Sequence, residues 1–166
     1  MSISKPIKIS FVWDRENLLK AFESAYRYHY THSARRYIGW LFVALAQFGV
    51  VAALKKGAFG LLLFSTILLL YWYVVKKALL KQRALKAFSH SPLKDQRITL
   101  EVSEAGIMQE GVMTPWERIE GVVPSDEGVM LYQEGREYYI PAGAFGGVEA
   151  MSRFKSLARE KGKLYD

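Results

Sequence analysis

The chain has 166 residues, no cysteine and a formal net charge of +7, so disulfides, thiolate nucleophiles and cysteine-held metals are excluded. A basic balance of this size ordinarily points to nucleic acid, but residues 1–92 carry 14 Lys/Arg against 3 Asp/Glu while residues 93–166 carry 9 against 13. The positive charge gathers around the apolar segments and the rest is acidic, which fits membrane topology and speaks against nucleic acid as a partner.

In chain order, Ile7, Ile9, Phe11 and Trp13 alternate with other residues at the period of two that marks a strand. Asp14 then reads as the N-cap of a helix. Leu18, Leu19, Phe22, Ala25, Tyr26, His29 and Tyr30 recur at helical spacing, and the spacing predicts that this helix runs on through Arg35 and Arg36. The stretch before Tyr37 is polar and charged and does not have the layout of a signal peptide.

Two uncharged runs follow, Tyr37–Leu54 and Ala58–Val75, each 18 residues long. At about 1.5 Å per residue each reaches about 27 Å, close to the roughly 30 Å of a hydrocarbon core. Both are apolar all round, whereas a soluble helix of this length keeps a polar face. Only Lys55, Lys56 and Gly57 separate them, enough for a tight turn between antiparallel helices. Arg35 and Arg36 precede the hairpin, and Lys76, Lys77, Lys81, Arg83 and Lys86 follow it. Seven positives at the outer ends against two in the turn place both termini in the cytoplasm. Tyr37 and Trp40 at the entrance, with Tyr71, Trp72 and Tyr73 at the exit, read as interface anchors on that same side.

Lys76 to Phe88 continues as a basic helix that Pro92 stops. Beyond it the pattern turns to strands: Ile98 to Val102, Ile107 to Met113, Trp116 to Val123, Val129–Tyr132 and Glu137–Ile140, with turns at Glu104-Ala105-Gly106, Asp126-Glu127-Gly128 and Glu134-Gly135-Arg136. A final amphipathic helix places Val148, Met151, Phe154, Leu157 and Ala158 on one stripe and stops at Gly162. So small a meander has little core of its own, so the N-terminal strand is expected to join it. The fold class is therefore α+β: a two-helix transmembrane hairpin with a small cytoplasmic antiparallel β domain closed by a C-terminal helix. The segments are 1–36, strand and amphipathic helix; 37–75, hairpin; 76–92, basic juxtamembrane helix; and 93–166, β domain.

Candidate chemistry is sparse. His29-x-x-His32 with Glu23 upstream has the residues of a metal site but no third strong ligand nearby, and interfacial histidines beside tyrosines are the plainer reading. Ser89-His90-Ser91 is adjacency, not a triad. Gly143, Gly146 and Gly147 are turn residues and form no phosphate loop. Trp116 is a core residue or a ligand platform. Gln47 and Ser65-Thr66, the strongly polar groups of the spans, have partners across the hairpin or in another subunit, and Gly49-x-x-x-Ala53 favours close helix packing. No catalytic, metal or cofactor set emerges.

The layout, together with Gly106-Ile107, Trp116-x-x-Ile119, Tyr139-Ile140-Pro141 and Phe145, resembles the YcxB-like family of bacterial membrane proteins. The C-terminal part of that family is similar to bacterial pleckstrin-homology-like domains. The resemblance implies a half-barrel closed by the last helix and no known enzymatic activity. The sequence departs from phosphoinositide-binding pleckstrin domains: their first hairpin is basic, and here Lys94 and Arg97 are followed by Glu101, Glu104 and Glu110. The expectation is thus a non-enzymatic protein of a bacterial inner membrane, with the lipid bilayer and a protein partner or homo-oligomer as its partners. The alternative is a membrane immunity or envelope-stress protection protein against a membrane-acting toxin. A membrane-bound enzyme ranks third, for want of a converging acid, base and nucleophile.

Overall fold

A computed structural model describes residues 5–165. By compactness the chain forms two units: residues 1–24 with 88–166, and residues 25–87.

In the first unit, β1 (Ile7–Val12) pairs antiparallel with β2 (Arg97–Val102) across the 84 residues between Val12 and Arg97. β3 (Gly106–Gln109) and β4 (Val112–Pro115) complete a sheet of order β1-β2-β3-β4. The stretch expected to be one strand from Ile107 to Met113 is two. Glu110 and Gly111 both adopt positive φ, 48° and 82°, and fold it into a two-residue hairpin. Trp116 to Arg118 is a turn of 3₁₀ helix, so the strand expected from Trp116 starts only at Ile119. β5 (Ile119–Ser125), β6 (Gly128–Gln133) and β7 (Arg136–Pro141) form a second antiparallel sheet.

The period of two, with a register shift between Ile119 and Gly121 that turns both Ile119 and Val122 inward, brings Ile7, Ile9, Leu100, Val102 and Ile107 of one sheet against Ile119, Val122, Val129 and Ile140 of the other, all within one core. α5 (Val148–Glu160) adds Phe154 and Ala158, both without accessible surface. Val148, expected on that stripe, is 84% exposed, because it opens the helix before the chain reaches the core. After Gly162 turns the chain at φ 69°, the tail pairs with the edge of β5: the Val122 amide donates to the Lys163 carbonyl at 2.7 Å, and the Tyr165 amide donates to the Val122 carbonyl at 2.9 Å. That contact covers a strand edge that would otherwise offer unpaired backbone groups.

Sheet β5-β6-β7 is also covered on its outer face, where Met130 and Tyr139 are 3% exposed. Ser125 lies on that face by alternation and its hydroxyl is 3.4 Å from that of Ser24, on helix α1 (Arg15–His32). The Asp14 carboxylate accepts from the Asn17 amide at 2.8 Å and caps this helix as its position predicts.

The second unit holds the end of α1, α2 (Arg35–Lys56), α3 (Phe59–Leu70) and most of α4 (Lys76–Ser89). α1 does not run into α2. It stops at Ser33-Ala34, where the Ser33 hydroxyl accepts from the Arg35 amide at 3.2 Å and offers the backbone a local alternative to the helical bond. Gly57, at φ 63°, caps α2 with its amide and turns the chain into α3. α3 and α4 form one continuous helix of 31 residues, Phe59–Ser89, interrupted by a π turn over Tyr71–Val75. Both α2 and Phe59–Ser89 are long and apolar enough to cross a membrane, and only 17% and 6% of their most apolar stretches are buried.

α2 packs on α3 through small residues. Its buried positions are Gly39, Gly49 and Ala53. A Cβ at Gly49 would stand 2.9 Å from the Leu62 Cα, so the backbones meet where only hydrogen fits. Ser65 is wholly buried there, and its hydroxyl and that of Thr66 both donate to the Leu62 carbonyl, at 3.0 and 2.7 Å. These two groups bond back within their own helix and not across the hairpin, because a helix always presents a carbonyl three or four residues back.

Candidate interaction site

The two sheets of the first unit enclose a space that is closed at one end and open at the other. α5 lies by the start of β1 and the β2–β3 turn, flanking Ile7 and Glu104. There Phe154 packs on Phe145 at 5.4 Å and on Trp116 at 6.3 Å between ring centroids. At the far ends of the same strands no helix among the described residues lines the space, and inward positions such as Phe11, Ile98, Val112, Leu131 and Tyr138 line a groove of about 510 Å³. Val112 is 69% exposed and Tyr138 39%, so apolar surface reaches the rim. Gln109, Glu110, Gln133 and Glu137 supply its polar edge. The two hairpin turns explain this placement: Glu110-Gly111 and Glu134-Gly135 end their strands here and leave Glu110, Glu137, Gln109 and Gln133 at the mouth, while the Glu134 carboxylate is paired with Arg118. A groove of this size, apolar within and acidic at the rim, suits recognition of an apolar group flanked by hydrogen-bond donors or cations.

The residues quoted for the family resemblance mostly build this unit from inside. Ile107, Trp116, Ile119, Ile140 and Phe145 are at most 5% exposed. Trp116 is a core residue, and its ring nitrogen donates to the Ser103 carbonyl at 2.9 Å. Gly106 opens β3 where a side chain would strike the Thr114 carbonyl, and Pro141 ends β7. Ile107 and Ile140 also reach the groove floor. Tyr139, behind it, donates its hydroxyl to the Glu127 carbonyl at 2.8 Å. Burial first, then the nearby Glu127 carboxylate, pushes that phenol up to about 12.

In the second unit the cations meet rings. Residues 25–87 hold 10 of the 23 Lys/Arg and none of the Asp/Glu. The Lys76 ammonium sits 3.8 Å from the Trp72 ring centre, Lys77 5.4 Å from Tyr26, and the Arg36 guanidinium 4.9 Å from Tyr37, whose hydroxyl it also reaches at 2.9 Å. Trp72 further meets Phe42 edge to face at 5.4 Å. Tyr37, Trp40, Tyr71 and Tyr73 are exposed, as are Arg35, Arg83 and Lys86, while Lys81 is half-buried. His29 and His32 pack on Tyr28, with centroids 5.9 and 4.3 Å away. Among the described residues no three His, Asp or Glu side chains gather as a metal site would require. In the first unit Ser89, the last residue of α4, and His90 after it form an exposed neighbouring pair, 3.0 Å between hydroxyl and Nδ1.

The groove is the feature that sequence reasoning missed. Its signal was present in the repeated Glu-Gly dipeptides and in Gln109 and Gln133, polar residues at inward positions of otherwise apolar strands. Comparison with protein-family models, with curated proteins and with solved structures returned no match to this chain.

Proposed function

We propose that this chain is a non-enzymatic protein of a bacterial inner membrane, anchored by the α2–α3 hairpin with both termini in the cytoplasm. Its β unit is a protein-interaction or regulatory module of pleckstrin-like type, in keeping with the resemblance to the YcxB-like family. The observation that carries this reading is the division of surfaces between the units. Residues 25–87 expose most of their large apolar side chains and carry ten cations with no acid, while the other unit gathers most of its large apolar residues into one core and carries all 16 Asp/Glu against 13 Lys/Arg. An apolar helix pair with cations at its outer ends fits a bilayer with a positive cytoplasmic side.

The β unit's net charge of −3 and the glutamates at its groove disfavour an anionic leaflet as ligand and favour a peptide segment with an apolar side chain beside cations. The test has two arms. A cytoplasm-only reporter should be active after Asp166 or before Met1, and a periplasm-only reporter between Lys56 and Gly57. The full chain in mild detergent should retain a partner that Val112→Glu loses, Val112 being exposed enough to change without unfolding the unit. A periplasmic C-terminus overturns the topology. Capture indifferent to Val112→Glu overturns the groove.

A further inference from the structure

Gln47 lies near the middle of the Tyr37–Leu54 run, is exposed, and has no hydrogen-bond partner among the described residues. The two other polar side chains of the spans are satisfied, Ser65 and Thr66 each by the Leu62 carbonyl. Gln47 does not face α3. Gly49 and the buried Ala53 lie on the α3 side, Gly39 meets Trp72 and Tyr73 of the π turn, and Gln47 stands on the far side of α2 with Trp40, Ala44, Val51 and Leu54. Those five recur at steps of four, three, four and three, the spacing that keeps one stripe facing a partner helix in left-handed packing at about +20°. Trp40 is 70% exposed, Val51 49% and Leu54 82%. Ala44, one turn before Gln47, leaves room for a close approach.

A carboxamide at the middle of a bilayer finds neither water nor a polar lipid group, and an unmet amide in hydrocarbon is costly. The group carries both donor and acceptor, so two copies related by a twofold axis satisfy each other, each amide donating to the other's oxygen. No second residue type is needed. We propose that a second copy of this chain packs against the Trp40–Leu54 face of α2, with the two Gln47 side chains hydrogen-bonded to each other at the centre of the contact. This rests on the membrane-spanning reading above.

The test uses the full chain in phospholipid vesicles, with donor and acceptor dyes on the C-terminus of separate copies and energy transfer followed as lipid dilutes the protein. The wild type should associate. Gln47→Met, similar in length and without the amide, should weaken association about 3- to 30-fold, and Gln47→Asn should keep most of it. Because the chain has no cysteine, Val51→Cys should crosslink to itself on mild oxidation and Leu63→Cys, on α3, should not. A wild type that stays monomeric at every dilution, equal association with Gln47→Met, or crosslinking at Leu63→Cys instead of Val51→Cys would overturn the pairing. Alkaline washing separates the two levels. A chain released from the vesicles sinks the membrane reading itself, whereas one that is retained yet never associates sinks only the dimer.

Discussion

Phe154, Ile9, Ile119 and Ile140 have essentially no accessible surface in the β unit, whereas in the helical unit Leu54 is 82% exposed and Trp40 and Phe48 are 70% exposed. The interior of the helical unit is instead made of Gly39, Gly49, Ala53 and Ser65. Water drives large apolar side chains inward, so the β unit is filled by them. On the membrane-spanning reading proposed above, the surroundings of the helical unit are as apolar as leucine, that drive vanishes and close backbone approach between small residues takes over. One chain thus carries both solutions, and the average hydropathy near zero is their sum.

The comparison breaks if large residues matter equally in both units. Phe154→Ala should cost the β unit about 3–5 kcal/mol, through lost burial and a cavity between Trp116 and Phe145. Leu63→Ala, at a 65% exposed position of α3, should change stability by no more than about 0.5 kcal/mol, since its side chain touches little protein. Urea unfolding of the full chain in micelles, followed by circular dichroism, measures both, and similar losses would refute the contrast.

The converse substitution sharpens it. Gly49→Leu forces a side chain into the Leu62 backbone, and overpacking of this kind costs about 1–3 kcal/mol. The hairpin should open at lower denaturing-detergent concentration while the urea midpoint of the β unit stays put. A hairpin indifferent to Gly49→Leu would mean that α2 and α3 are not held by small-residue packing.

A smaller effect is confined to the β unit. The folded state holds the Tyr139 proton up to about pH 12, while the unfolded phenol releases it near its ordinary value of 10. The stabilisation is therefore complete below pH 10 and is lost as the pH rises from about 10 to 12. Tyr139→Phe removes one of two donors to the Glu127 carbonyl, the Ala142 amide remaining, which should cost about 1 kcal/mol at neutral pH and flatten this part of the alkaline decline. An unchanged alkaline slope would assign that decline to other groups.

The hairpin was readable because its signal is local and long: two uncharged runs, a short turn and flanking cations are all properties of neighbours in sequence. Most β strands were readable by alternation, and the Asp14 cap by residue type. The Glu110-Gly111 turn was missed although Glu134-Gly135 was seen, because Met108 and Met113 continue an apolar pattern that hid the reversal. Helix α1 was drawn through Ser33-Ala34, since helical periodicity gives no sign of a single serine bonding back to the chain. The polar residues Gln109 and Gln133 on apolar strands hinted at the groove, but its place was not readable, because it is the part of the space between two sheets that α5 does not reach.

By itself the sequence determined which segments would be helix or strand and which surfaces would suit hydrocarbon, because hydrophobic period and charge placement are set residue by residue. Tertiary structure alone decided that β1 would pair with β2, that Ser65 and Thr66 would turn back on Leu62, and that Gln47 would be left facing outward. Those outcomes depend on which faces meet across distant stretches of chain, and a helix of 3.6 residues per turn presents every face until a neighbour chooses one.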